Sequence, residues 1–152
     1  MVNYTPKLSD PANQGPAVEF GLVSDVMETN FASFRPKMTM EEAVKTILKT
    51  ETTGGPVLSD AGTLVGFLSE RDCLRLAVEC RYHNVHGGLV ESYMRPDVVT
   101  VREDAGLFEL VDMFIANWYH IYPVVNRAAE VVGVVSRKRV IREIDQMVQT
   151  TW

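Results

Sequence analysis

Gly66-Phe67-Leu68-Ser69-Glu70-Arg71-Asp72 passes from apolar to charged residues at a serine, and 67 positions on Gly133-Val134-Val135-Ser136-Arg137-Lys138-Arg139 does so again. In each stretch the apolar run reads as a strand and the charged run after the serine as the start of a helix. Extending the comparison outward from these two stretches, residues 23–77 superpose on 90–144 without a gap. Of these 55 positions 12 are identical, among them Met27/Met94, Pro56/Pro123, Val57/Val124, Gly66/Gly133 and Ser69/Ser136. Unrelated segments of average composition share about three or four. The chain is built from an internal duplication.

Each copy carries the same succession of patterns. A short strand is expected at 33–35 and at 98–102. A helix follows, with Met40, Ala43, Val44, Ile47 and Leu48 on one face in the first copy. In the second copy that face holds Leu107, Leu110, Val111, Phe114, Ile115 and Trp118; both sets keep the i, i+3, i+4, i+7 spacing of a buried side. Two apolar runs around a turn come next, 56–58 then 64–68, and 123–125 then 131–135, with Asp60-Ala61-Gly62 and Asn126-Arg127-Ala128-Ala129 as the turns. A closing helix has Leu74, Ala77 and Val78, or Val140, Ile141, Ile144 and Met147, as its apolar stripe. Neither half can bury two helices on so small a sheet, so the expectation is an α/β (α+β) fold of two β-α-β-β-α repeats sharing a core about a pseudo-two-fold axis. The boundaries follow: an arm at 1–19 with three prolines, repeat one at 20–80, a connector at 81–89 holding Gly87-Gly88, repeat two at 90–149 and a tail at 150–152.

Composition narrows the function. The chain has 152 residues, 15 basic against 20 acidic side chains and a formal net charge of −5. It lacks the positive field that nucleic acid or an anionic membrane selects, so neither is expected as a partner. Its longest apolar helix candidate, 107–118, is interrupted by Glu109 and Asp112, which argues against a membrane span. The opening MVNYTPKLSDPANQGP has no apolar core of a signal peptide, which points to a cytoplasmic protein. Cys73 and Cys80 lie seven apart on a helical pattern, about 10 Å along one face, and read as reduced thiols rather than a disulfide. Cys80, His83 and His86 have a zinc-like spacing without a fourth ligand, so no metal is assigned. No catalytic triad order, Walker loop, Gly-x-Gly-x-x-Gly or paired carboxylates are present, and the chain does not read as an enzyme.

The chemistry sits in the repeated stretch. Ser69 falls where a strand gives way to a helix, where free N–H groups and the positive helix end can hold a phosphate and the hydroxyl adds a donor. Asp72, one turn on, can accept from both hydroxyls of a ribose. The same two residues also form a capping pair worth about 1 kcal/mol with no ligand, and the residues alone leave both readings open.

The paired order of elements, the Pro-Val opening the middle strand and Gly-x-x-Ser-x-x-Asp at its place resemble tandem cystathionine-beta-synthase (CBS) domains, a Bateman module, over residues 22 to about 148. The resemblance implies an adenosine-nucleotide site in which Ser69 and Asp72 face residues 94–100, including Val99 and Thr100, together with Tyr119, His120 and Ile121. Val99 and Ile121 would sandwich a purine there. A plain core and strand role for 118–122 remains the alternative. A second cleft would combine Ser136 and Arg139 with Thr52, Thr53 and Gly54. Arg139 stands where the pattern has aspartate and cannot accept from a ribose, so this cleft is expected to be degenerate, either inviting an anionic group or presenting a solvated basic face with Arg142. The implied function is a non-catalytic sensor that needs no cofactor, binds AMP, ADP, ATP or S-adenosylmethionine, forms a homodimer and reports occupancy to a regulated protein. The alternative is a ligand-free module for dimerisation or docking.

Overall fold

The computed structural model of the chain describes residues 21–83 and 87–150. The arm at 1–19 and most of the tail lie outside them. Repeat one contains α1 (Val23–Val26), α2 (Met40–Thr50), β1 (Gly54–Leu58), β2 (Leu64–Ser69) and α3 (Glu70–His83). Repeat two contains α4 (Val90–Tyr93), β3 (Val101–Arg102), α5 (Leu107–Ala116), β4 (Ile121–Val125), β5 (Val131–Ser136) and α6 (Arg137–Thr150). β1 and β2 form an antiparallel pair, matched by β4 and β5, and β3 runs parallel to β4.

The first strand of each copy is shorter than expected. In repeat one it contracts to a parallel bridge between Phe34 and Val57, closed by Phe34 N–H to the Pro56 carbonyl at 3.0 Å and Leu58 N–H to the Phe34 carbonyl at 2.9 Å. Pro36, two residues on, has no N–H to carry a ladder forward. In repeat two only Val101–Arg102 of the expected 98–102 pairs.

The helical turns α1 and α4 have no counterpart in the expected order, and they bind the halves together. Val23 N–H donates to the Ala105 carbonyl at 2.9 Å, and its counterpart Val90 N–H donates to the Met38 carbonyl at 2.9 Å. Val23 and Val26 are buried in the core of repeat two, beside Leu107, Leu110, Tyr122 and Val124. Val90 and Tyr93 are buried in the core of repeat one, beside Phe34, Met40, Ile47 and Leu68. Just after each turn the chain crosses the other repeat's last strand, in antiparallel bridges Glu28–Val134 and Arg95–Phe67. This crossing explains the glycine of the repeated stretch. A Cβ on Gly66 would sit 2.5 Å from Met94 Sδ and 3.0 Å from the Arg95 carbonyl; one on Gly133 would sit 2.8 Å from the Glu28 carbonyl and 3.0 Å from Met27 Sδ. A third cluster of Phe67, Ile121 and Val134 joins the two sheets at the centre.

The closing helices are turned differently from the expectation. On α3, Leu74 is 68% exposed and Val78 is exposed, while Cys73 and Leu76 pack on the core instead. On α6, Val140 is buried and Met147 packs inward, but Ile141 is 65% exposed and Ile144 and Val148 are exposed too. Each sheet is so small that one helix face covers it, and the second apolar edge of each helix is left on the outside.

Candidate functional site: two clefts between the repeats

β2 ends at Ser69 because the next residues are charged and supply a helix start, with Glu70 and Asp72 in the first turn of α3 where the dipole favours acid. The Asp72 carboxylate closes this start: Oδ2 accepts from Ser69 N–H and from Ser69 Oγ, both at 2.8 Å, and Ser69 Oγ accepts from Asp72 N–H at 3.3 Å. Asp72 is 4% exposed, the one buried charged side chain among the described residues. Its other oxygen, Oδ1, has only Arg75 Nη2 at 3.7 Å. Arg75 Nη2 also donates to the Tyr93 carbonyl at 2.8 Å, which ties α3 to the end of α4. Both of the roles read for this pair in the sequence are thus geometrically open: the cap is made with one oxygen, and the second is not consumed.

Ser69 and Asp72 line a cleft of about 830 Å³ together with Tyr119, His120 and Ile121 of the other repeat. Val99 lies beside it in a narrow slot shared with Phe67, Tyr119 and Ile121, and Thr100 lines none of the cavities described here. The sequence reading missed Arg71, Arg75 and Trp118, all of which line the large cleft; Arg95, within the expected 94–100, lines it as well. Arg95 stacks its guanidinium over the Tyr119 ring at 5.1 Å. Trp118 is 94% exposed at the mouth. The Arg137 Nη2 group lies 2.8 Å from His120 Nδ1, so the ring nitrogen is the acceptor.

A second cleft of about 360 Å³ opens on the other side of Ile121 and is lined by Thr52 and Gly54, as expected, and by Glu28, Asn30, Phe31 and Thr50. Thr53, expected here, lines the first cleft instead. Its carbonyl accepts from Glu70 N–H at 3.0 Å, which turns it to the start of α3. Ser136 and Arg139 line neither cleft. Ser136 Oγ accepts from Arg139 N–H at 3.2 Å, a cap without a returning carboxylate. The Arg139 side chain is turned to the opening turn of repeat one: its Nε donates to the Val26 carbonyl at 3.2 Å, at the end of α1. That carbonyl is the counterpart of Tyr93's, so Arg139 performs in repeat two the tie that Arg75 makes in repeat one.

The remaining titratable groups do not suggest chemistry. Burial, then the nearby Asp72 and Glu70 carboxylates, push the Cys73 thiol up and keep it protonated; both cysteines are free thiols. No group of three or more metal-ligating side chains gathers among the described residues, and His86 of the zinc-like spacing lies outside them. No helix of the described residues is long and apolar enough to cross a membrane.

Known proteins match this architecture. The chloroplastic CBS domain-containing protein CBSX2 of Arabidopsis thaliana is 25% identical, over 91% of this chain and 70% of that protein. The crystal structure of CBSX2 in complex with AMP superposes with a TM-score of 0.73 at 26% identity, covering 83% of this chain and 97% of that one. The CBS domain-containing protein MJ0729 of Methanocaldococcus jannaschii is 30% identical over 115 residues, 75% of this chain and 87% of that protein. Other relatives are longer, and the chain spans 39% and 56% of two of them. The model of the CBS domain itself matches residues 23–79 and again 90–146. With both copies of the duplication matched, the chain belongs to the CBS domain family and carries two such domains in tandem.

Proposed function

We propose that the chain is a regulatory module that binds one adenosine nucleotide in the larger cleft and passes its occupancy to another protein. The observation that carries the reading is the Asp72 carboxylate: buried, fixed by Ser69 through Oδ2, with only Arg75 Nη2 at 3.7 Å from Oδ1, in the lining of an 830 Å³ cleft that three arginines also line. A ribose needs that acceptor, and a phosphate needs those cations. The AMP complex of CBSX2, 26% identical, supports the same ligand class. The base is assigned to the larger cleft beside Tyr119 and Ile121, because the slot that Val99 lines holds only about 10 Å³ and Thr100 lines neither. The site needs neither cofactor nor metal, and the module is not an enzyme.

Transmission runs along α3. Its first turn holds Asp72, and its outer side exposes Leu74, Val78 and Tyr82 at i, i+4, i+8. With Ile141, Ile144 and Val148 on α6, these residues form apolar edges that a homodimer covers, placing ligand-responsive helices in a contact surface. The regulated protein then reads the altered assembly.

A thermal-shift series over adenosine, AMP, ADP, ATP and S-adenosylmethionine tests the binding. A ligand at a hundredfold excess over Kd adds about 2.7 kcal/mol, a rise of roughly 5–10 °C for a domain of this size. No shift with any of them leaves the second reading, a dimerisation or docking module, which the complete Ser69–Asp72 cap favours because it satisfies both groups without a ligand.

A further inference from the structure

Tyr93 ends α4 and is buried in the core of repeat one, where it lines none of the cavities described above. Two residues of α3 nevertheless hold it at both ends. Arg75 Nη2 donates to its carbonyl at 2.8 Å, and its hydroxyl donates to Glu79. Asp72, Arg75 and Glu79 follow one another at i, i+3 and i+7, so they share one face of the helix. That face runs from the larger cleft, which Asp72 and Arg75 line, to the opening turn of repeat two.

The other opening turn is held less firmly. At the offset of 67, Tyr93 corresponds to Val26 and Glu79 to Gln146, so the hydroxyl and its carboxylate partner are both replaced. Only the carbonyl tie is kept, made by Arg139, which lines no cavity described above. The double hold is therefore confined to the helix that lines the larger cleft.

Arg75 is open to a competing claim. Its side chain is 56% exposed and lines the cleft while bonded to a neutral carbonyl. A phosphate offers the guanidinium a charged acceptor, and such bonds are about twice as strong as neutral ones. An incoming nucleotide thus draws Arg75 off the carbonyl. The Glu79 bond opposes this, because it fixes the residue whose carbonyl Arg75 must leave.

We propose that Tyr93 is a positioning residue for the nucleotide site: through its carbonyl it restrains Arg75 in the empty cleft, and nucleotide binding releases the end of α4. The release rests on the nucleotide reading of the larger cleft and is the first step by which occupancy leaves it. Linkage makes the effect reciprocal, so whatever loosens Tyr93 beforehand favours the nucleotide.

Calorimetry with AMP on the full chain reads the sign. Tyr93→Phe keeps the ring in the core and removes the hydroxyl, and is expected to lower the AMP Kd about threefold to tenfold. A merely structural loss would leave binding equal or weaker. Glu79→Ala removes the same bond from an exposed position and is expected to act in the same direction, which covers poor folding of the first variant. In the unaltered protein AMP is expected to speed hydrogen exchange severalfold at the Met94 amide, whose 2.8 Å bond to the Val90 carbonyl closes α4. A Kd unchanged or raised in both variants, or a Met94 amide that AMP protects, overturns the proposal and leaves the nucleotide reading standing. No uptake of AMP by the unaltered chain overturns both.

Discussion

Asp72→Ala separates the cap from the site. In the folded protein the carboxylate accepts two hydrogen bonds of 2.8 Å from Ser69 through Oδ2, while Oδ1 has only Arg75 Nη2 at 3.7 Å, and Asp72 lines the cleft. Removing it leaves Ser69 N–H without its acceptor, a loss of the kind that costs about 0.5–2 kcal/mol at a helix start. For a domain of about 150 residues each kcal/mol moves Tm by about 2–4 °C, so a fall of several degrees with a cooperative transition is expected. Binding suffers more. Two ribose hydroxyls lose a charged acceptor, and hydrogen bonds to charged groups contribute about 1.5–3 kcal/mol each, so the loss is at least about 3 kcal/mol, or more than a hundredfold in Kd. Calorimetry with AMP and ADP on the folded variant measures it. A Kd within threefold of the unaltered protein refutes the assignment of Asp72 to the ribose and leaves it as a cap only.

Gly133→Ala places a Cβ 2.8 Å from the Glu28 carbonyl, a backbone atom that cannot yield; a loss of about 1–3 kcal/mol in urea unfolding is expected, and an unchanged midpoint contradicts the crossing. Light scattering should give about 34 kDa, twice the 17.0 kDa chain. Ile144→Asp, on the exposed edge of α6, should halve it, whereas a monomer at tens of micromolar rules the dimer out. The Tyr93 hydroxyl donates to Glu79, and this bond followed by burial lifts its pKa from 10.0 to about 12. The folded state therefore holds the proton more tightly, and its contribution is complete below pH 10 and lost as pH rises toward 12. Tyr93→Phe should flatten stability across that interval; an unaltered alkaline limb contradicts it.

The strands, the main helices and the duplication were legible because they are local: apolar runs, turn residues and helical spacing over a dozen positions. Ser69, Asp72, Tyr119, His120 and Ile121 were brought together only by the resemblance to CBS domains, and they line one cleft. What escaped the reading depends on contacts far along the chain. Val23 and Val26 look like any short apolar turn, and only the other half's core explains their burial. The outward turn of Leu74 and Ile141 follows from how little sheet each helix has to cover, which periodicity does not encode. Arg139 was read by its type as a cation that either invites an anionic group or lies on a solvated basic face with Arg142, whereas its Nε donates to the Val26 carbonyl, 113 residues away.

The exchange of opening turns has a bearing on ancestry and on fragments. A single repeat presents an empty socket lined by Phe34, Met40 and Leu68, and at its own front carries a turn of the shape that fills such a socket. Two identical copies can close on each other by mutual donation, so a one-repeat forebear had a folded form available as a pair, and gene fusion needed only to join what already fitted. For the present chain, a cut in the connector is expected to leave both pieces clasped, migrating as one body in gel filtration until denaturant parts them; fragments that separate without it would show that the clasp is too weak to have preceded the fusion.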